Sequence, residues 1–200
     1  MGSGQAAKNR ESGGVQKHLP PALFLTDQDR CEDPVAVASR LPPGTGVILR
    51  DYGYPKRGEL AQSLAVICRQ RNLVFLVGGD PRLAGAVGAR GLHLPERLID
   101  RFDFDELGPG MLLTVAAHSQ EAMMRAAEIG ADAILLSPVF RTVSHPHIEP
   151  LGLHRFAALL QKSKVPVYAL GGLTTKNIRV LPNDDRLVGY AGISIFMPEE

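Results

Sequence analysis

Two short stretches near the C-terminal end have the residue types of an anion clamp. Gly171-Gly172-Leu173 follows the apolar run 165–170, and Gly192-Ile193-Ser194 falls at the end of a second apolar run. Strands that end in small residues offer backbone N–H groups, and adjacent strand–loop junctions of this kind are how a parallel barrel holds phosphate. Glycine at 171 and 172 lets phosphate oxygens approach the main chain. The same glycines would also serve plain left-handed turns. Arg50 ends Val47-Ile48-Leu49 and would set a charge at the C-terminal rim of a strand; the alternative is a rim salt bridge to Asp51 or Asp80. His93 and His118 lie at the ends of apolar runs, and His145 and His147 flank Pro146. Imidazoles there would suit acid–base chemistry near neutral pH; the alternatives are packed histidines for the first pair and solvated ones for the second.

Such residues need a scaffold that brings strand ends together. Residues 1–18 are rich in Gly, Ser, Lys and Gln and are expected to form a mobile tail. From residue 19 onward apolar runs alternate with helical patterns. Strands are predicted over 22–27, 46–51, 73–77, 91–94, 111–116, 133–137, 165–170 and 190–196. Helices are predicted from Asp33-Pro34, over 59–71, 81–87, 96–104, 119–129, 151–161 and 174–181. Asp33 and Ser119 read as N-caps, with Pro34 at a first helical position. The strands are continuous apolar runs, as in parallel sheets covered on both faces. Eight strand–helix beats ending in a phosphate-type clamp predict a small (β/α)8 TIM barrel over 19–200. A doubly wound sheet would want its glycine-rich turn after the first strand, where Thr26-Asp27-Gln28-Asp29 stands.

Composition narrows the partners. The 200 residues are 44% hydrophobic, enough for one core. Lys and Arg number 22 against 21 Asp and Glu, which gives no electrostatic case for nucleic acid or a membrane surface. The two cysteines make no disulfide framework. A cytoplasmic protein is expected.

Taken in order, the strand-end motifs resemble those of the thiamine phosphate synthase/TenI family. Leu23-Phe24-Leu25-Thr26-Asp27 resembles its opening strand, and Leu49-Arg50-Asp51 sits where the family carries Arg-Glu-Lys. Gly79-Asp80 stands in place of Asn-Asp, and Gly91-Leu92-His93-Leu94 is similar to Gly-Val-His-Leu. Val115-Ala116-Ala117-His118-Ser119, Gly130-Ala131-Asp132-Ala133, Pro138-Val139-Phe140-Arg141-Thr142, Gly171-Gly172-Leu173 and Gly192-Ile193-Ser194 continue the series. The resemblance implies a thiazole phosphate bound beside a pyrimidine methyl diphosphate. Diphosphate leaves the pyrimidinylmethyl carbon, which the thiazole nitrogen captures, with Mg²⁺ and basic side chains neutralising the leaving group. It assigns the acceptor phosphate to Thr142, Ser144, Gly171, Gly172, Ile193 and Ser194, Mg²⁺ to Asp80 and the diphosphate to Arg50; His118 and His145 are carried as candidate catalytic imidazoles from their own positions.

The match is uneven. The phosphate side is kept, but Tyr52 stands where the family has a lysine, Leu98 where it has a second metal aspartate, Ala116 for a serine and His145 for another lysine. The TenI branch uses a histidine at the position of Pro138. The implied reading is a synthase-like protein of thiamine biosynthesis, with two alternatives: a non-catalytic phosphate-ligand binder, or a thiazole tautomerase-like or other phosphate-binding isomerase. No final helix follows the eighth strand, so a missing or truncated helix is expected. The apolar gap would be covered by a second subunit, a possibility we carry as a homodimer, or by the N-terminal segment.

Overall fold

The computed structural model describes residues 18–142 and 147–197. Ser144, His145 and the tail before His18 lie outside the described residues. Eight parallel strands close into a barrel in chain order: β1 (Ala22–Leu25), β2 (Gly46–Leu49), β3 (Val74–Gly78), β4 (Gly91–Leu94), β5 (Leu112–Ala117), β6 (Ala133–Leu136), β7 (Val167–Leu170) and β8 (Leu187–Gly192). Closure comes from β8 pairing with β1, Leu23 opposite Ala191 and Phe24 opposite Gly192. Four of the strands are only four residues long and wholly buried: β1, β2, β4 and β6. This is why they read as unbroken apolar runs.

The helices are α1 (Pro34–Arg40), α2 (Arg57–Arg71), α3 (Pro81–Ala86), α4 (Gln120–Glu128) and α5 (Gly152–Lys162). Side-chain caps fix where three of them start. Asp33 accepts from the Ala36 N–H at 2.8 Å, Asp80 from Leu83 N–H at 2.9 Å, and Ser119 from Ala122 N–H at 3.1 Å. Pro34 and Pro81 occupy the first turns, where a missing N–H leaves nothing unpaired. None of the helices in the described residues is long and apolar enough to cross a membrane.

Three elements differ from their sequence expectation. The helix expected over 96–104 is a 3₁₀ turn, Glu96–Arg101, followed by another at Phe104–Glu106. There Asp103 bonds the Asp105 N–H at 3.0 Å, a local bond that competes with helix propagation. The helix expected over 174–181 shrinks to a 3₁₀ turn at Asn177–Val180. The Asn177 amide instead accepts from Thr174 N–H at 2.8 Å and donates to Gly172 O at 2.8 Å, so it ties down the preceding loop.

Strand β8 begins three residues upstream of the expected start and ends at Gly192. The chain then leaves the extended region at Ile193 (φ −113°, ψ −71°) and turns through Ser194–Phe196. That turn stacks Phe196 on Tyr190, with centroids 6.0 Å apart, and sets it edge-on to Phe24 at 5.8 Å. Aromatic burial across β8 and β1 favours the turn over continuing the strand to Phe196. At the barrel's entry, fully buried Tyr168 donates its hydroxyl to Pro20 O at 2.6 Å, linking β7 to the segment leading into β1.

Candidate active site at the strand ends

In a parallel barrel every strand delivers its following residues to one rim. Two groups of candidate residues collect there, one after β1 to β4 and one after β6 to β8.

The first group is knitted by Asp51. Its carboxylate accepts from the Thr26 hydroxyl and from Gln28 N–H at 2.6 Å, while the Arg50 N–H donates to Thr26 Oγ1 at 3.0 Å. Arg50 sits at the expected strand end, yet its partner is neither Asp51 nor Asp80. Its Nη2 donates to Asp27 Oδ2 at 2.8 Å. Asp51 is already committed to holding the β1 loop, so Asp27 is the carboxylate left within reach. A cleft of about 490 Å³ opens here, lined by Asp27, Asp29, Arg50, Asp51, Tyr52 and Tyr54 among others. Three carboxylates make it rich in acceptors for the N–H groups of a ring, and Arg50 is the cation in its lining.

Tyr52 accounts for the missing lysine in physical terms. Its ring lies over the end of β3: a Cβ at Gly78 would come within 3.1 Å of it, and one at Gly79 within 3.3 Å. Two guanidiniums flank the ring, Arg97 at 5.0 Å and Arg57 at 5.7 Å from the centroid, within cation–π range. Burial pushes the Tyr52 hydroxyl upward, outweighing the pull of Arg50, Arg97 and Arg57. Leu98 packs against the core beside it.

Arg57 is a residue that the sequence did not single out. It reaches under the strand ends, donating to Gly78 O at 2.5 Å, and its Nη1 lies 3.5 Å from Asp80 Oδ2. Its Nε is buried without a partner. One signal was available: Arg57 begins α2, where the helix dipole disfavours a cation.

These contacts bear on Mg²⁺. Asp80 caps α3 through Oδ1 and faces Arg57 through Oδ2. The position of a second carboxylate is Leu98, and among the described residues no three His, Cys, Asp or Glu side chains gather as a metal cluster. A resident Mg²⁺ wants about six oxygens in near-octahedral array. The donor set does not fit one.

The histidines separate. His93 is buried and bonds Thr114 Oγ1 at 3.0 Å; burial first, and then Arg50, lower its pKa to about 3. It is a neutral core histidine. His118 is half exposed and bonds Glu96 through both Nδ1, at 2.6 Å, and its backbone N–H, at 2.9 Å. Glu96 is shared with Arg125, which also pairs with Asp100 at 2.6 Å. His118 is therefore at the rim as expected, within an ionic network that includes neither Arg50 nor Asp80.

The second group is the candidate anion clamp. Gly171 (φ +97°) and Gly172 (φ +65°) are in the left-handed region. Their missing side chains serve a purpose other than the expected one. A Cβ at Gly171 would lie 2.8 Å from Pro138 Cα, and one at Gly172 2.3 Å from Arg141 O. The glycines thus let the β7 loop pack on the β6 loop, where Phe140 N–H donates to Gly171 O at 3.0 Å. Among the described residues no backbone carbonyl accepts from the N–H of Gly171, Gly172, Ile193 or Ser194. Thr142 is half-buried on the adjacent β6 loop. A further residue reaches this group unforeseen: Arg30, from the β1 loop, donates to Ser194 Oγ at 2.5 Å.

Known proteins resemble this chain in sequence and in fold. The chain is 36% identical over 139 residues to the putative thiamine-phosphate synthase 2 of Aquifex aeolicus, covering 70% of this chain and 74% of that one. It is 34% identical over 153 residues to a putative thiamine-phosphate synthase of Geobacter sulfurreducens, covering 74% and 70%. Among solved structures, the thiamine phosphate pyrophosphorylase from Pyrococcus furiosus superposes with a TM-score of 0.68 at 23% identity over 86% of this chain and 85% of that one, a likeness of fold. Residues 22–194 match the thiamine monophosphate synthase (TMP-TENI) family, and the chain belongs to that family.

Proposed function

We propose that this barrel works in thiamine biosynthesis as a thiamine phosphate synthase-like protein that binds a thiazole phosphate at the ends of β7 and β8. The observation that carries the reading is the set of four backbone N–H groups, at Gly171, Gly172, Ile193 and Ser194, that no backbone carbonyl accepts among the described residues, on two adjacent strand ends. Backbone donors at such junctions suit a phosphate that only anchors its ligand. The pyrimidine methyl diphosphate would lie over β1 and β2, with its ring in the acceptor-rich cleft and its leaving group met by Arg50. Loss of diphosphate leaves an electron-poor methylene carbon, and the thiazole nitrogen supplies the pair for the new carbon–nitrogen bond. Arg50 acts by taking up charge that grows on the departing oxygens. Since Asp80 alone does not fit a resident ion, Mg²⁺ enters this reading as part of the diphosphate substrate.

A second reading is favoured by Tyr52 and Leu98, which fill with ring and alkyl groups the place where charge is needed. On it, the protein binds the thiazole phosphate without joining it to anything. Both readings predict saturable thiazole phosphate binding by calorimetry. Incubation with both substrates and Mg²⁺ separates them: diphosphate release that is lost in Arg50→Ala supports the synthase, and binding without release supports the second reading. Failure to bind thiazole phosphate at all would discard both. Homodimerisation belongs to the proposal too, with light scattering at micromolar concentration as its check; a stable monomer would refute it.

A further inference from the structure

Arg30 is placed oddly for a surface arginine. The chain around it carries carboxylates at Asp27, Asp29, Glu32 and Asp33, yet among the described residues it forms no ion pair. Each nearby acid with a recorded contact is turned elsewhere: Asp27 holds Arg50 and Asp33 caps α1. Arg30 instead spans 164 positions of chain to give a hydrogen bond to the uncharged Ser194 hydroxyl. The loop that carries it is built to do this. Arg30 and Cys31 N–H groups both bond Asp27 O, at 3.0 and 2.8 Å, and Cys31 is buried beneath.

A guanidinium has five donors in a fixed fork, and among the described residues Arg30 gives one bond from it, to Ser194. Ser194 also carries one of the four N–H groups, with those of Ile193, Gly171 and Gly172 on the ends of β7 and β8, that no backbone carbonyl accepts among the described residues. We propose that Arg30 is a phosphate-binding residue, whose guanidinium completes the anion cradle at the ends of β7 and β8 and draws the β1 loop over the bound phosphate. The proposal rests on the reading of that cradle given above, and adds a charged donor to a set that is otherwise backbone and hydroxyl. It also gives the two substrate regions a common wall, since Asp27, on the same turn, holds Arg50.

The test is titration of the whole protein with inorganic phosphate, followed by calorimetry and ³¹P NMR, for the wild type, Arg30→Gln, Arg30→Lys and Arg82→Gln. Arg82 is an exposed cation on α3 and controls for general charge. Circular dichroism and thermal unfolding check that each variant is folded. Arg30→Gln is expected to weaken phosphate at least about tenfold, the scale of one lost charge-assisted bond. Arg30→Lys should fall between, because it keeps the charge without the fork, and Arg82→Gln should match the wild type. If the wild type binds phosphate and Arg30→Gln binds it equally, the assignment of Arg30 is wrong while the cradle stands. If Arg30→Gln and Arg82→Gln weaken binding alike, the effect is general charge and the assignment again fails. If the wild type takes up no phosphate, both the cradle and Arg30 are overturned.

Discussion

Arg50 and Asp27 form an ion pair across the ends of β1 and β2, Nη2 to Oδ2 at 2.8 Å, with side chains 33% and 15% exposed. The pair holds the rim guanidinium beside the cleft, and at this exposure it stabilises the fold by about 1 kcal/mol or less. Arg50→Ala is therefore expected to shift the urea midpoint little while weakening inorganic diphosphate at least about tenfold. Asp27→Asn, which releases the guanidinium, should leave diphosphate affinity equal or higher. Calorimetric titration of both variants decides it; unchanged diphosphate affinity in Arg50→Ala would remove Arg50 from the site.

Asp80 divides two roles cleanly, because asparagine keeps a cap and loses a charge. Asp80→Ala should cost about 1 kcal/mol through loss of the bond to Leu83 N–H, and Asp80→Asn much less. Mg²⁺ alone should give no saturable heat with either the wild type or Asp80→Asn at millimolar concentration. A saturable Mg²⁺ isotherm abolished by Asp80→Asn would show a resident ion after all.

His93 makes stability depend on pH. Its pKa of about 3 in the fold lies below the ordinary value near 6.5. Below about pH 6.5 the unfolded chain takes up a proton that the folded chain refuses, so stability is full above that pH and falls as pH drops toward 3. The loss approaches about 1.4 kcal/mol per pH unit from this one group. His93→Asn should flatten the curve of unfolding free energy between pH 6.5 and 5, before most carboxylates titrate. Parallel curves for the two proteins would mean that His93 is charged in the fold.

Gly172 tests the packing of the clamp. Its φ of +65° and the 2.3 Å approach of a Cβ to the Arg141 carbonyl leave alanine nowhere to go. Gly172→Ala should cost more than about 2 kcal/mol in urea unfolding and abolish phosphate binding. Gly53→Ala, with open space around the added methyl, should be close to neutral. A near-neutral Gly172→Ala would show that the β6 and β7 loops part easily.

Much of the fold was readable because its signals are local. Each strand is a short apolar run, and Asp33-Pro34 and Ser119 mark helix starts through a bond three residues long. The weak places were also local in origin: Asp103 and Asn177 spend side chains on nearby backbone and stop helices that their apolar spacing favoured. Strand β8 was misplaced because its end is set by Phe196 finding Tyr190 and Phe24, a contact that no window of sequence contains.

By itself the sequence determined the eight-beat barrel, the family and the positions of the clamp glycines and of Arg50, since strand ends in a parallel barrel must share one rim. Tertiary structure alone decided what those residues touch. It pairs Arg50 with Asp27, lays Tyr52 between Arg57 and Arg97, turns the glycine faces onto the β6 loop and brings Arg30 to Ser194. The reason is closure: pairing β1 with β8 brings the first and last strands together, and hydrogen bonds across that seam depend on distances that only the closed barrel creates.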